Sequence, residues 1–206
     1  MSHSVKVISV VNQKGGVCKT TTVINISAVF AALNKKVLVI DFDPQGNASS
    51  GLDIKLEDKN INNIYNVLIE NNSAQNAIIK TKIPNLDIIP CTVDLAGAEV
   101  DLTSVDNREY KLKEGIKTII DDYDYVFIDC PPSLSLLTIN ALVASDTILI
   151  PLQCEFFALE GLSHLLDTAE RIKENLNEKL NINGIILTMY DRRNKLTEQV
   201  EQDVRN

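Results

Sequence analysis

The stretch VVNQKGGVCKTTTVINISAVF, residues 10–30, contains the pattern that decides the fold. An apolar run leads into Gly15–Gly16, then into Lys19 and three threonines, and an apolar pattern of helical spacing follows. A loop that leaves a buried strand and opens a helix gathers backbone N–H groups around one point, and the helix N-terminus adds partial positive charge. This order predicts a strand, a phosphate-binding loop and a helix.

The residue types of this loop suit contact with phosphate. Gly15–Gly16 allows a tight turn without Cβ clashes, Lys19 can reach the β- and γ-phosphates, and Thr20 offers a hydroxyl to Mg²⁺. The strict pattern G-x-x-x-x-G-K-[ST] is broken twice, because Gln13 and Cys18 stand where it has glycine. Either Cys18 weakens phosphate binding or the loop tolerates its side chain. The alternative interpretation is an ordinary glycine-containing turn before a capped helix.

Composition favours one globular domain over residues 1–206. The chain has 20 Lys and Arg against 28 Asp and Glu, a net charge of -8, which disfavours a surface that coats nucleic acid. Its four cysteines are far apart and it has two histidines, so neither a zinc site nor a disulfide framework is indicated. No apolar run approaches the ~20 residues that span a bilayer, and we expect a reduced, cytoplasmic protein without membrane contact.

Short β-branched runs alternate with helix-length segments along the chain. The predicted strands are Val5–Asn12, Val37–Asp43, Leu86–Pro90, Tyr125–Pro131, Thr147–Leu152 and Ile182–Tyr190. The predicted helices are Lys19–Leu33, Asn63–Asn71, Glu109–Tyr123, Ser135–Ala144, Ala158–Leu176 and a final one over Lys195–Asn206. This alternation predicts an α/β, doubly wound, mainly parallel sheet with helices on both faces. Functional residues should then meet beyond the carboxyl ends of the strands, in residues 12–21, 41–47 and 129–133.

Carboxylates follow two of the predicted strands. Asp41 and Asp43 leave one strand two residues apart, so they share a face and could order Mg²⁺-bound or attacking water near a γ-phosphate. In isolation, turn-forming aspartates before Pro44 would be the better interpretation, but the phosphate loop reverses that preference. Asp129 ends the apolar run YVFID and is expected to hold Mg²⁺ through water.

Taken in order, the motifs NQKGGVCKTTT, DFDPQGN and DCPP resemble those of the ParA/MinD family of dimeric deviant Walker A ATPases. The segments PLQCEFFALEGL, residues 151–162, and LTMYDRRNKLTEQVEQDVR, residues 187–205, extend the resemblance over nearly the whole chain. The resemblance implies a P-loop NTPase fold of the SIMIBI type. The D-P-Q-G-N string is similar to the partition branch, ParA/Soj, which implies a role in chromosome or plasmid partitioning.

The resemblance also implies cofactors and partners. By resemblance, the expected cofactors are ATP and Mg²⁺, ATP is expected to close a homodimer that binds DNA without sequence preference on the nucleoid, and a ParB/Spo0J-type protein is expected to stimulate hydrolysis. The implied ATP-binding loop comprises Lys14, Gly15, Gly16, Val17, Cys18, Lys19, Thr20 and Thr21. In that loop Lys14 reaches the partner's nucleotide and Thr20 binds Mg²⁺, while Thr21 contacts the α-phosphate side. Asp43 is implied as the catalytic carboxylate with Asp41 as its support, Asp129 as the Walker B residue, and Pro131 as part of a D-x-P-P switch.

Three alternatives stay open. A MinD-like membrane-cycling ATPase shares the loop but needs a C-terminal amphipathic anchor. An iron-protein reductase needs a cluster-ligating cysteine well downstream of Asp129, whereas Cys130 follows it directly. A catalytically impaired nucleotide-binding or regulatory module would fit Cys18 and the short C-terminus.

The C-terminal stretch gives the weakest indications. Family members continue beyond the helix that starts near Lys195, so we expect that the final strand and helix are missing, through truncation or because the sequence is a fragment. Four cations could contact DNA phosphates: Arg192, Arg193, Lys195 and Arg205. Four nearby carboxylates balance them: Asp191, Glu198, Glu201 and Asp203. A solvated helix of mixed charge is the local interpretation, and the resemblance alone favours DNA.

Overall fold

A central sheet organises the computed structural model, which describes residues 5–56 and 61–205. Its seven strands in this part of the chain are β1 (Lys6–Val10), β2 (Val37–Asp41), β3 (Ile79–Lys80), β4 (Leu86–Ile89), β5 (Tyr125–Asp129), β6 (Thr147–Gln153) and β7 (Asn181–Thr188). They lie in the order β3-β4-β2-β5-β1-β6-β7, and all neighbours are parallel except β3 and β4. The expected mainly parallel α/β fold is confirmed.

The register of the central strands aligns the three candidate loops. Val10 of β1 lies opposite Asp129 of β5, and Asp129 lies opposite Asp41 of β2. These residues end their strands at one edge of the sheet. The loops that follow them therefore start side by side.

Helices cover both faces of the sheet. They are α1 (Lys19–Ala32), α2 (Asn47–Gly51), α3 (Ile64–Leu68), α4 (Ala74–Ala77), α5 (Ala98–Asp101), α6 (Lys111–Ile116), α7 (Leu136–Ala144), α8 (Ala158–Asn175) and α9 (Lys195–Arg205). Successive strand residues face opposite sides, so Val39 joins the core under α1 while Leu38 joins the core under α7 and α8. On the α1 side, Phe30 stacks on Tyr125 and Phe127, with ring centroids 4.5 and 5.9 Å away.

The predicted helix Glu109–Tyr123 is wrong as a continuous element. It is a 3₁₀ turn at Arg108–Tyr110, the short helix α6, and a second 3₁₀ turn at Ile120–Asp122. The side chain of Asn140, on α7, donates to the carbonyl of Arg108 (2.9 Å) and accepts from the N–H of Leu112 (3.1 Å). Those two backbone groups would otherwise bond each other as an i to i−4 pair. The side-chain amide of Asn140 thus replaces one helical hydrogen bond, and the α-helix begins at Lys111 instead of Glu109.

Other predicted elements exist with shifted ends. Asn63–Asn71 is helical over α3 alone, which Asn63 caps by accepting from the N–H of Tyr65 (2.9 Å). The strand predicted to reach Asp43 ends at Asp41. Asn206, the predicted last residue of α9, lies outside the described residues, as do residues 1–4 and 57–60 of the predicted single domain. Four short elements were not predicted: β3, α2, α4 and α5.

No helix in the described ranges combines the length and apolar character required to cross a bilayer.

Candidate functional site

The loop between β1 and α1 has two residues in the left-handed backbone region. Gly16 has φ +77°, and Cys18, the residue before α1, has φ +67°. The carbonyl of Cys18 accepts from the N–H of Thr22 (2.9 Å), which starts the helix. A left-handed conformation costs a non-glycine residue roughly 1–2 kcal/mol. Cys18 therefore adopts a left-handed backbone conformation that glycine would adopt more easily.

A cleft of about 570 Å³ opens over this loop and the start of α1. Residues from all three candidate loops line it: Gly15, Gly16, Cys18, Lys19, Thr20, Thr21, Ile24, Asp43, Gln45, Asn47 and Pro132. Lys19 is buried, and its Nζ donates to the carbonyl of Lys14 (3.0 Å). Burial lowers the pKa of Lys19, and Asp129 and Asp43 oppose that shift. One cation therefore lies inside the curve of the loop, where a bound anion would neutralise it.

Asp41 is fully buried and fully hydrogen-bonded. Its Oδ2 accepts from the N–H (2.7 Å) and the hydroxyl (2.6 Å) of Ser49, and its Oδ1 accepts from the N–H of Asp43 (3.4 Å). Burial raises the pKa of Asp41 to about 6, and the bonds from Ser49 oppose the rise. Asp41 thus anchors α2 and the loop that carries Asp43.

Asp43 faces the cleft from a tight turn. Its Oδ1 accepts from the N–H of Gln45 (3.0 Å), and its carbonyl accepts from the N–H of Gly46 (2.8 Å). The turn and cleft interpretations of this aspartate are therefore compatible, because the turn holds the carboxylate at the cleft wall.

The side chain of Asp129 is buried, and its carboxylate has no hydrogen bond of normal geometry among the described residues. Burial raises the pKa of Asp129 to about 7, while the nearby Thr20 hydroxyl and Lys19 oppose the rise. A buried carboxylate without partners is unfavourable and suggests a missing ligand.

This carboxylate and the neighbouring Thr20 hydroxyl fit Mg²⁺, a hard cation that prefers oxygen ligands. No cluster of three or more His, Cys, Asp or Glu side chains that could hold a metal occurs in the described part of the chain. Mg²⁺ in proteins usually keeps several water ligands and is bound through one or two carboxylates.

Lys14 points away from the cleft. Its backbone N–H donates to Asn12 Oδ1 (2.9 Å), and its Nζ forms an ion pair with Glu155, on the connection between β6 and α8. Its side chain is 45% exposed. The structure thus brings Lys19, Thr20, Asp43 and Asp129 together and leaves Lys14 on the outer rim.

The other predicted residues occupy supporting positions. Val17 is buried, and its carbonyl accepts from the Thr188 hydroxyl at the end of β7 (3.3 Å). Thr21 is exposed and lines the cleft. Pro131 is buried and does not line the cleft, whereas Pro132 does.

Some site residues had no role in the sequence analysis. Gln45 and Asn47 line the cleft, and their side chains bond each other (3.0 Å). Both occur in the D-P-Q-G-N string, which was the available signal. Glu155 lies in the quoted segment PLQCEFFALEGL, but neither it nor Ser49 had a predicted role, because their pairing with Lys14 and Asp41 is recognisable only in three dimensions.

A larger groove of about 820 Å³ lies elsewhere, beside α1 and β7. Its lining is mostly apolar and includes Val29, Phe30, Tyr125 and Ile186. None of the three loops contributes to it, so the smaller cleft is the candidate site.

Comparisons with known proteins agree with this geometry. A family model described as an AAA domain matches residues 5–182. The chromosome partitioning protein ParA of Caulobacter vibrioides is 48% identical over 206 residues, which are 99% of this chain and 77% of that protein. The sporulation initiation inhibitor protein Soj of Bacillus subtilis is 49% identical over 97% of this chain and 79% of its own length.

Solved structures show the same similarity. A protein from Mycobacterium smegmatis described as cobyrinic acid a,c-diamide synthase, with bound ATP analogue and magnesium, has a TM-score of 0.92 and 37% identity over 98% of this chain and 82% of that chain. A plasmid partition protein from Borrelia burgdorferi has a TM-score of 0.87 and 31% identity over 98% of this chain and 86% of that chain. With matches of this extent to named partitioning proteins, the chain belongs to the ParA/Soj family of chromosome partitioning proteins.

Proposed function

We propose that this chain is an ATP hydrolase that binds ATP with Mg²⁺ and acts in chromosome or plasmid partitioning. The observation that carries the proposal is the buried, unpartnered carboxylate of Asp129, which lies close to Thr20 and Lys19 of the cleft lining. The Mycobacterium smegmatis protein was crystallised with ADP or an ATP analogue and magnesium, and a Borrelia burgdorferi plasmid partition protein with AMPPNP.

The loop and α1 would hold the phosphates. Backbone N–H groups of the loop and the N-terminus of α1 supply partial positive charge, and Lys19 supplies a full charge. Because Lys19 is buried, water screens its charge less than that of an exposed lysine. Thr20 and Asp129 would hold Mg²⁺, which when bound would supply positive charge against the charge that develops on the phosphates.

Asp43 would orient the attacking water and accept its proton. The turn through Gln45 and Gly46 fixes the Asp43 backbone, and the bonds between Asp41 and Ser49 fix the base of that turn. Phosphoryl transfer depends mainly on positioning and charge neutralisation, so a carboxylate held in a fixed position suits the reaction.

We also propose that ATP closes a homodimer in which Lys14 reaches the partner's nucleotide. Lys14 lies outside its own cleft, at an exposed rim. Phe156 and Phe157, which follow its partner Glu155, are 79% and 66% exposed. Large exposed apolar side chains in a cluster mark interaction surfaces.

The partners in partitioning are proposed from family membership. They are a ParB/Spo0J-type protein that stimulates hydrolysis and DNA bound without sequence preference, which would put the cytoplasmic protein on the nucleoid. Local charge gives DNA little additional support, because Arg193 pairs with Asp191 and Arg205 with Glu201.

Two substitutions test the enzyme. Lys19→Ala is expected to abolish nucleotide binding, because it removes the cation inside the loop. Asp43→Ala should retain ATP-dependent dimerisation and lose hydrolysis. Nucleotide affinity is measured with a fluorescent ATP analogue, dimerisation by sedimentation velocity, and turnover by phosphate release with DNA and a ParB-type partner added. Lys35→Ala, an exposed lysine of the α1–β2 connection, is the control.

Failure of the wild-type chain to bind nucleotide at millimolar ATP would contradict the proposal and favour a non-catalytic regulatory module. Normal hydrolysis by Asp43→Ala would contradict only the assignment of the catalytic carboxylate.

A further inference from the structure

We infer that Glu155 is a positioning residue for Lys14: their ion pair holds the Lys14 ammonium on the outer rim of the phosphate loop, directed away from its own cleft. The inference rests on the proposed function in one respect, namely that Lys14 acts on the nucleotide of a second copy.

Three consecutive loop residues contact the segment 151–161, which comprises the last part of β6, the connection after it and the first turn of α8. Asn12 Nδ2 donates to the carbonyl of Pro151 (2.7 Å), and Gln13 Nε2 donates to the carbonyl of Gly161 (3.4 Å). Lys14 and Glu155 form the third contact. The segment from the end of β6 to the start of α8 is thus fastened to the loop on both sides of Glu155.

The backbone of Glu155 is itself fixed. Its N–H donates to the carbonyl of Gln153 (2.9 Å), and its carbonyl accepts from the N–H of Ala158 (3.0 Å). A tight turn therefore presents the carboxylate at a defined place beside the loop, although the Glu155 side chain is 39% exposed.

Electrostatics favour the outward direction of Lys14. The Nζ of Lys19 lies inside the loop, where it donates to the Lys14 carbonyl (3.0 Å). A second ammonium turned into the same cleft would meet like charge, while Glu155 attracts it outward. A free lysine side chain also carries about 2 kcal/mol of rotamer entropy. Because the ion pair already restricts the Lys14 side chain, less entropy is lost when Lys14 contacts a second copy.

The size of the effect is modest. Exposed ion pairs contribute about 0–1 kcal/mol, which corresponds to a bias of up to about fivefold in side-chain direction. Loss of the Glu155 charge should therefore weaken ATP-dependent dimerisation by about three- to fivefold. Because Lys14 does not line its own cleft, the affinity of the monomer for nucleotide should stay within about twofold.

The test compares Glu155→Gln with Glu160→Gln, which removes an equal charge from an exposed position five residues further on. Each is made alone and with Lys14→Ala. The first readout uses nucleotide-free protein: acylation of Lys14 by an amine reagent, measured by mass spectrometry against Lys35. Glu155→Gln should raise the relative acylation rate of Lys14 several-fold, and Glu160→Gln should not.

The second readout is the dimerisation midpoint in ATP and Mg²⁺, by sedimentation velocity. Glu155→Gln should weaken dimerisation in the otherwise wild-type chain and have no added effect beside Lys14→Ala. Unchanged or stronger dimerisation, or an equal loss with and without Lys14, would overturn the inference. A wild-type chain that does not dimerise with ATP would refute the proposed homodimer, and the acylation rates would still decide whether Glu155 holds Lys14.

Discussion

Two sides of the same cleft differ in how their polar groups are satisfied. On the β2 side, the buried carboxylate of Asp41 has hydrogen bonds to Ser49 and Asp43. On the neighbouring strand β5, the equally buried carboxylate of Asp129 has none, and Cys18 in the loop after β1 is held in a left-handed conformation. The first arrangement stabilises the fold, whereas the second is unfavourable until a ligand arrives. Such local violations concentrate at functional sites.

The largest expected effect comes from Asp129. Asp129→Asn should weaken binding of Mg²⁺ and ATP by about 100-fold, or about 3 kcal/mol, because it removes the buried negative charge that faces the cation. The free energy of unfolding without nucleotide should not fall, since the side chain makes no hydrogen bond to lose. Calorimetric titration and urea unfolding measure the two quantities.

Asp121→Asn, at an exposed carboxylate after α6, is the matched control and should change neither quantity. Destabilisation by Asp129→Asn with normal nucleotide affinity would reverse the roles assigned to the two sides.

Substitution of Asp41 should affect stability, in contrast to substitution of Asp129. Asp41→Ala is expected to lower the free energy of unfolding by about 2–3 kcal/mol, because it leaves the buried N–H and hydroxyl of Ser49 without an acceptor. Asp41→Asn keeps one acceptor oxygen and should cost less. Urea unfolding of the nucleotide-free variants measures both losses, and a loss below about 0.5 kcal/mol for the alanine variant would show that Asp41 does not anchor the loop.

The pH dependence of stability separates the two carboxylates further. Their folded pKa values, about 6 for Asp41 and about 7 for Asp129, exceed the ordinary unfolded value of about 3.9. The native state then binds more protons than the unfolded state, so the free energy of unfolding falls as the pH rises through these values. Between pH 6 and 8 the fall should be about 1–2 kcal/mol.

Urea unfolding at half-unit pH steps measures this slope. Asp129→Asn should remove most of the slope above pH 6, since the fall there comes mainly from Asp129. An unchanged slope in that variant would mean that other groups cause it.

The smallest effect concerns Cys18. Cys18→Gly should raise the free energy of unfolding by about 1 kcal/mol or less, because relief of the left-handed strain is partly offset by the greater freedom of glycine in the unfolded chain. Chemical denaturation measures the change, and Cys154→Ala, at a buried cysteine outside the left-handed region, is expected to destabilise instead. A less stable glycine variant would show that the sulfur makes favourable contacts that outweigh the strain.

The sequence predicted the part of the site that depends on strand ends. The apolar runs 5–12, 37–43 and 125–131 were predicted as parallel strands, which bring their carboxyl ends to one edge, and the observed strands end there at Val10, Asp41 and Asp129. Local pattern was sufficient for this grouping, and also for α1, which was expected to end at Leu33 and ends at Ala32.

Contacts between distant side chains were not predictable in this way. Asn140 interrupts the predicted helix by bonding the carbonyl of Arg108, 32 residues earlier, and Glu155 contacts Lys14 across 141 residues. Neither position differs in local pattern from neighbouring polar residues, because the partner is chosen by the packing of α7 and of the β6–α8 connection. Short elements such as α2 depend similarly on Asp41 and not on their own propensity.

The cysteine in the loop also gives the unmodified protein a reporter. Cys91, Cys130 and Cys154 are buried, and burial raises the pKa of each thiol, which slows its reaction. Cys18 is half-buried and lines the cleft. A thiol-reactive fluorophore would therefore attach selectively at the mouth of the cleft, and the protection of Cys18 from labelling would provide an optical measure of occupancy without any substitution.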